Sequence, residues 1–156
     1  MLGALGEAKR SGALVVSVAC NSPSRIAALA DVAIEVVTGP EFIAGSTRLG
    51  AATAQKLVLN MLSTLTMVRL GKTYGNVMID LQATNEKLVA RSRRTVSAVT
   101  GADPHAAADA LEAAGGSVKG AVLALKTRLS PGDAAKLLEA NNGHLRDALR
   151  DFDLHG

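Results

Sequence analysis

Residues 14–37 read LVVSVACNSPSRIAALADVAIEVV, and the order of apolar runs and breaks in this stretch decides the fold class. The run 14–18, LVVSV, is short, continuous and rich in β-branched residues, as a strand buried on both faces requires. Val32 to Val37 repeats the pattern. Between them Ser22 or Ser24 can cap a short helix that begins around Pro23 to Arg25 and ends before Asp31. Strand, loop, helix and strand make a βαβ unit with a parallel pair, the building block of an α/β sheet.

Outward from that unit, Leu2 to Arg10 has helical character, and Ser11-Gly12 breaks it. On the other side, TGPEFIAGSTRLGAATAQK supplies turn residues Gly39 and Pro40, a short apolar piece, and a Gly-Ser-Thr turn that leads into a long helix ending at Gly71. Leu57, Met61, Leu65 and Val68 fall at helical spacing along it, which predicts that this helix packs on the sheet. The segment KTYGNVMIDLQAT is ambiguous between an extended stretch and a helix start. A helix over about 85–99 follows, with Thr84 as its cap and Gly101 as its stop.

The C-terminal part contains an internal repeat. At an offset of 27 residues, DPHAAADALEAAGGSVKGAVLA (103–124) aligns with SPGDAAKLLEANNGHLRDALRD (130–151). Pro104 meets Pro131, Leu111 meets Leu138, Glu112 meets Glu139 and Gly116 meets Gly143. Asp103 and Ser130 both have N-cap chemistry before a Pro at the first helical position, so each unit reads as helix, Gly turn, helix. Such units cannot bury their apolar faces alone and should stack into a small bundle. The expected division is 1–101 for the α/β part and 102–156 for the bundle.

Composition narrows the function classes. The 156 residues are 48% hydrophobic and 20% charged, and Phe42, Tyr74 and Phe152 are the only aromatics, so aliphatic side chains and Ala must build the core. A lone Cys20 excludes an intramolecular disulfide and points to a reducing cytoplasm, where it acts as a small hydrophobe. The N-terminus lacks the pattern of a signal peptide. Leu57 to Leu70 falls well short of the roughly 20 apolar residues a membrane span needs. A net charge of +3 permits nucleic-acid binding, but Lys87, Arg91, Arg93 and Arg94 have no aromatic among them to stack a base, and they read as a solvated helix face. His105, His144 and His155 lack ligand spacing and read as surface residues, so no metal or other cofactor is expected. No phosphate-binding Walker loop, dinucleotide GxGxxG motif or nucleophile elbow is present.

The candidate binding residues lie around the start of the long helix. Small residues and hydroxyls at Gly45, Ser46 and Thr47 bring backbone N–H groups and Oγ atoms close to whatever sits above a helix N-terminus, a setting suited to a polyol or an anion. Ser and Thr are equally ordinary helix caps. Asn21 follows the first strand at the edge where open parallel sheets bind ligands, and it also suits an Asx turn.

The segment 39–94, GPEFIAGSTRLGAATAQKLVLNMLSTLTMVRLGKTYGNVMIDLQATNEKLVARSRR, resembles the central signature of the N-acetylmuramic acid 6-phosphate etherases, and the similarity runs from about Glu7 to the C-terminus. The resemblance implies a sugar isomerase (SIS) fold, a doubly wound α/β sheet, followed by a small ubiquitin-associated-like helical region. It implies that the loop Glu41 to Thr47 lines a sugar-phosphate pocket, with Gly45, Ser46 and Thr47 contacting substrate hydroxyls, and Glu41 and Asn21 nearby. Gly50 departs from the family pattern, which usually has Lys there, and Ala52 stands where Gly is usual. Arg48 and Lys56 remain close by in sequence.

In this family the phosphate-cradling loop, the earlier strands and the acid/base glutamates precede the part that the chain resembles. Etherase chemistry removes the proton α to the sugar carbonyl, expels lactate and adds water, which calls for one carboxylate as base and one carboxylic acid. Glu35 and Glu41 are the acids near the expected pocket, and their spacing does not make a catalytic pair. The implied protein is therefore the C-terminal portion of an etherase of peptidoglycan recycling, inactive alone. The alternative is a noncatalytic sugar-phosphate-binding regulator of the same fold. Open strand edges imply a homodimer or association with the N-terminal half, in a cytoplasmic protein with neither nucleic acid nor membrane as partner.

Overall fold

The computed structural model describes residues 1–81 and 83–155, the side chain of His155 excepted, so the reading of His155 as a surface histidine lies outside the described residues. Two compact units are present, 1–64 and 65–156.

The first unit opens with helix α1 (Leu2–Arg10), whose last turn carries Lys9 and Arg10 where cations favour a helix C-terminus. Strands β1 (Val16–Ala19) and β2 (Val32–Glu35) pair in parallel, with Val16 opposite Val32 and Ala19 opposite Glu35. The βαβ reading of 14–37 thus gives the right strands and the right direction. The intervening helix is shorter than expected: only a 3-10 turn forms, Ala27–Leu29. Space explains the difference, because Ala30 is already extended and the Asp31 N–H bonds to Val15 O at 2.8 Å, so the chain rejoins the sheet in under two turns. Asp31 also accepts from the Val15 N–H at 2.9 Å and pairs with Lys9 at 3.1 Å, which ties α1, β1 and the entry to β2 together.

Helix α2 (Gly50–Arg69) is 20 residues long. The expectation that Leu57, Met61, Leu65 and Val68 pack on the sheet is corrected here, since all four are exposed and Val58 alone among the helix residues is buried. Lengths give the reason. A helix of this size spans about 30 Å, whereas four-residue strands extend only about 13 Å, and two of them cannot cover it. No helix among the described residues is long and apolar enough to cross a membrane.

In the second unit the ambiguous segment after Gly71 resolves into a short antiparallel hairpin, β3 (Thr73–Tyr74) and β4 (Val77–Met78), turning at Gly75 with φ +60°. Helix α3 (Glu86–Thr100) follows, and Gly101 ends it in the left-handed conformation, φ +75°. The cap is Asn85 rather than Thr84: its backbone is extended and its Oδ1 accepts from the Leu88 N–H at 3.0 Å.

The repeat at 103–151 is structural as well as sequential. Helices α4 (Pro104–Ala113) and α5 (Val118–Thr127) form one hairpin, and α6 (Pro131–Ala140) and α7 (Leu145–His155) form the other. Asp103 and Ser130 both cap with Pro in the first turn, as predicted. Equivalent residues share their environments: Ala107 and Ala134, Leu111 and Leu138, Val118 and Leu145, and Ala121 and Ala148 are all buried. Gly116 and Gly143 turn the two hairpins at φ +84° and +73°, where a Cβ would be strained. Helix α5 lies at the centre and packs on α3, α4, α6 and α7. Its Gly120 and Leu123 are buried, whereas their counterparts in α7 are Asp147 and the exposed Arg150. Ile79 and Val96 join this same core. Lys119, which donates to Gly143 O at 3.0 Å, lies 3.6 Å from Asp80, itself paired with Lys72 at 2.7 Å, so an ion network fastens the segment after the hairpin to the turn of the second repeat.

Candidate functional site

The carboxyl ends of parallel strands leave backbone groups and loop side chains facing outward, and here they border a cleft of about 480 Å³ within the first unit. Val18, Cys20 and Asn21 from the end of β1, Thr38, Glu41 and Thr47 from the segment after β2, and Ala51 and Gln55 from the first turns of α2 line it.

The N-terminus of α2 is closed by Glu41. One carboxylate oxygen accepts from the Gly50 N–H and the other from the Ala51 N–H, each at 2.9 Å. These bonds, Ala51 first, hold the Glu41 carboxyl below the usual glutamate range. A Cβ at Gly50 would stand 3.3 Å from a Glu41 oxygen, so a larger residue there would press on the carboxylate by a few tenths of an ångström. At the other side of the cleft the Cys20 thiol is half-buried and points at Ala51 O, 3.4 Å away, which links the strand end to the same helix turn.

Ser46 does not cap the helix. Its Oγ accepts from the Arg48 N–H at 3.4 Å, within a local turn that Gly45 enters at φ +83°. Thr47 O accepts from the Ala52 N–H at 3.0 Å, so Thr47 stands where the loop feeds into the helix. Asn21 uses its amide in part for a local bond, donating to Pro23 O at 3.4 Å. Of the five residues singled out from sequence, Asn21, Glu41 and Thr47 come together on the cleft, and Gly45 and Ser46 lie on the neighbouring loop outside its lining. Thr38 and Gln55 went unnoticed in the sequence. Gln55 stands eight positions after Thr47, which an α2 start at Gly50 converts to the second turn of the helix. Arg48 and Lys56 are exposed and are not part of the lining.

Glu35, the second acid expected nearby, is also engaged. Its carboxylate accepts from Ser22 Oγ at 2.5 Å and from the Ser24 N–H at 2.6 Å, and these bonds lower its pKa, Ser22 contributing most. A carboxyl held in its charged form by donors is poorly suited to act as a general acid near neutrality. Both acids therefore serve to fix loops around the cleft.

The site is thus a cleft of hydroxyl, carboxamide, carboxylate and backbone groups at the end of a parallel strand pair in an α/β unit. No protein-family model matches the chain. Comparison with curated proteins is specific, however. The N-acetylmuramic acid 6-phosphate etherase of Streptomyces avermitilis is 56% identical over 148 residues, 95% of this chain and 48% of that protein. That of Deinococcus radiodurans is 49% identical over all of this chain and 51% of its own length, and that of Klebsiella aerogenes is 48% identical over 96% of this chain and 50% of its own. The chain belongs to the family of the N-acetylmuramic acid 6-phosphate etherases, matching their C-terminal half. It spans about half the length of the curated relatives it matches.

Proposed function

We propose that this chain forms the sugar-facing wall of an N-acetylmuramic acid 6-phosphate site and, taken alone, binds the sugar phosphate without cleaving its lactyl ether. The observation that carries the reading is the cleft itself: in a chain about half identical to etherases, Asn21, Thr38, Thr47 and Gln55 present neutral hydrogen-bonding groups at the strand ends. Such groups suit the hydroxyl and acetamido portions of a sugar. Gly45 and Ser46, on the neighbouring loop, are proposed to join them where a ligand extends beyond the cleft. The residues to 101 are proposed as part of a SIS-like domain, and 102–156 as a ubiquitin-associated-like appendage, in a cytoplasmic protein.

Turnover needs a base and an acid, and both acids near the cleft are already bound to loop donors. Catalytic groups therefore come from the part of an etherase outside these 156 residues. The same observation favours the second reading, a noncatalytic sugar-phosphate-binding regulator. The apolar residues along α2, with Leu57, Leu59, Met61 and Leu65 all at least half exposed, support a proposed further partner: the N-terminal half of an etherase or a second copy of this chain.

Titration with N-acetylmuramic acid 6-phosphate, followed by amide chemical shifts, tests the binding claim. Shifts centred on Asn21, Thr38, Thr47 and Gln55 are expected, and their absence at saturating ligand would overturn it. Lactate release by the isolated chain would overturn the claim that it lacks catalytic groups.

A further inference from the structure

We infer that Glu41 is a positioning residue for the cleft: by holding the first two amides of α2 it closes the loop 42–49 and sets where Thr47 stands. The inference rests on the sugar-site reading for its functional meaning and on geometry for its substance. Glu41 reaches across nine and ten residues to Gly50 and Ala51, with one carboxylate oxygen on each N–H at 2.9 Å. Helix N-termini attract anions through these same unpaired N–H groups and the aligned peptide dipoles. Here the chain supplies that anion itself. The Gly50 and Ala51 amides are therefore occupied, and a ligand meets the hydroxyl and carboxamide groups beside them rather than an open anion hole.

The fit is tight on three sides. Gly50 leaves room for the carboxylate, since a Cβ would approach Oε1 to 3.3 Å. The carbonyl of Ala51, whose N–H Glu41 holds, faces the Cys20 thiol at 3.4 Å. Thr47 O is bonded to the Ala52 N–H at 3.0 Å, next to the clamped pair. Releasing Glu41 frees the first turn of α2 and the loop ahead of it together, and Thr38, Glu41 and Thr47 all border the cleft along that segment.

The test uses the full 156-residue chain and its Glu41→Ala, Glu41→Gln and Gly50→Ala variants, with N-acetylmuramic acid 6-phosphate as probe. Glu41→Ala is expected to weaken binding about tenfold and to speed hydrogen exchange at the Gly50 and Ala51 amides, while unfolding of the 65–156 unit stays unchanged. Glu41→Gln keeps one acceptor oxygen and sets a donor NH2 against the other N–H, so its affinity and amide exchange should fall between those of Glu41→Ala and the parent, a grading that a general loss of structure would not give. Gly50→Ala should weaken binding in the parent and have no further effect in Glu41→Ala, because both act through one contact. Binding by Glu41→Ala within about twofold of the parent, or unchanged exchange at Gly50 and Ala51, overturns the inference. If the parent itself takes no sugar phosphate, the functional reading fails, and exchange at the two amides alone decides the clamp: faster in Glu41→Ala upholds it, unchanged overturns it.

Discussion

Ser92 sits in the apolar stripe of α3, three residues after Val89 and four before Val96, and its Oγ is fully buried without a hydrogen-bond partner. Burying a hydroxyl that bonds to nothing costs free energy, and removing it is neutral or favourable. Ser92→Ala is expected to stabilise the 65–156 unit by about 1 kcal/mol, read as a raised denaturant midpoint at constant slope. Glu35 gives a residue-scale prediction of opposite kind. Its folded pKa lies below the ordinary glutamate value of 4.5, with the Ser22 hydrogen bond the main cause, so the unfolded chain binds the proton more readily. The stabilisation is therefore present above about pH 4.5 and disappears as pH falls through the lower folded value. Unfolding of the 1–64 unit between pH 6 and 3 should show a steeper loss in the parent than in Glu35→Gln; equal profiles would remove Glu35 from the account. Neither environment is visible in sequence. Ser92 looks like any polar helix residue, and Glu35 looks like a polar position in a strand until Ser22 and Ser24 turn toward it.

Local signals carried the elements well wherever the controlling partner lies within a few residues. Asp103-Pro104 and Ser130-Pro131 start helices because a side chain bonds an amide two or three positions on. Ser130→Ala should lower stability of the helical unit by about 1 kcal/mol, measured by thermal or denaturant unfolding. The strands of 14–37 were legible for a similar reason, since apolar runs bounded by breaks mark buried parallel strands. The α2 cap was not. Its donor-binding group lies nine residues upstream, beyond any capping box, and Ser46 and Thr47 offered the nearer chemistry. The packing of α2 was misjudged for another reason: helical spacing of apolar residues says which face wants cover, not whether the chain holds enough sheet to provide it.

At the scale of the molecule, apolar burial is unevenly shared. Every residue of the main core belongs to the 65–156 unit, whereas the 1–64 unit buries Val15, Ala19 and Val58 as its hydrophobic residues. Two unfolding transitions are expected, the earlier one belonging to 1–64. Leu123→Ala, at a fully buried position of α5, should lower only the later transition, by about 3 kcal/mol. A single transition shifted as a whole would show that the units unfold together. Phe42, 92% exposed, and the uncovered Leu57, Leu59 and Met61 of α2 belong to the weaker unit. Supplying cover there would raise the first transition and leave the second in place.

The two hairpins are alike in shape but not in what they allow next to them. In the first, Gly120 and Leu123 let neighbours close over α5. In the second, the matching positions hold Asp147 and Arg150, which pair with each other at 3.3 Å in partial contact with water. A stacked array grows wherever its last face is apolar and stops where that face is wetted. This pair of charges keeps that face of α7 wetted, so the second hairpin cannot take a close apolar neighbour where the first one does.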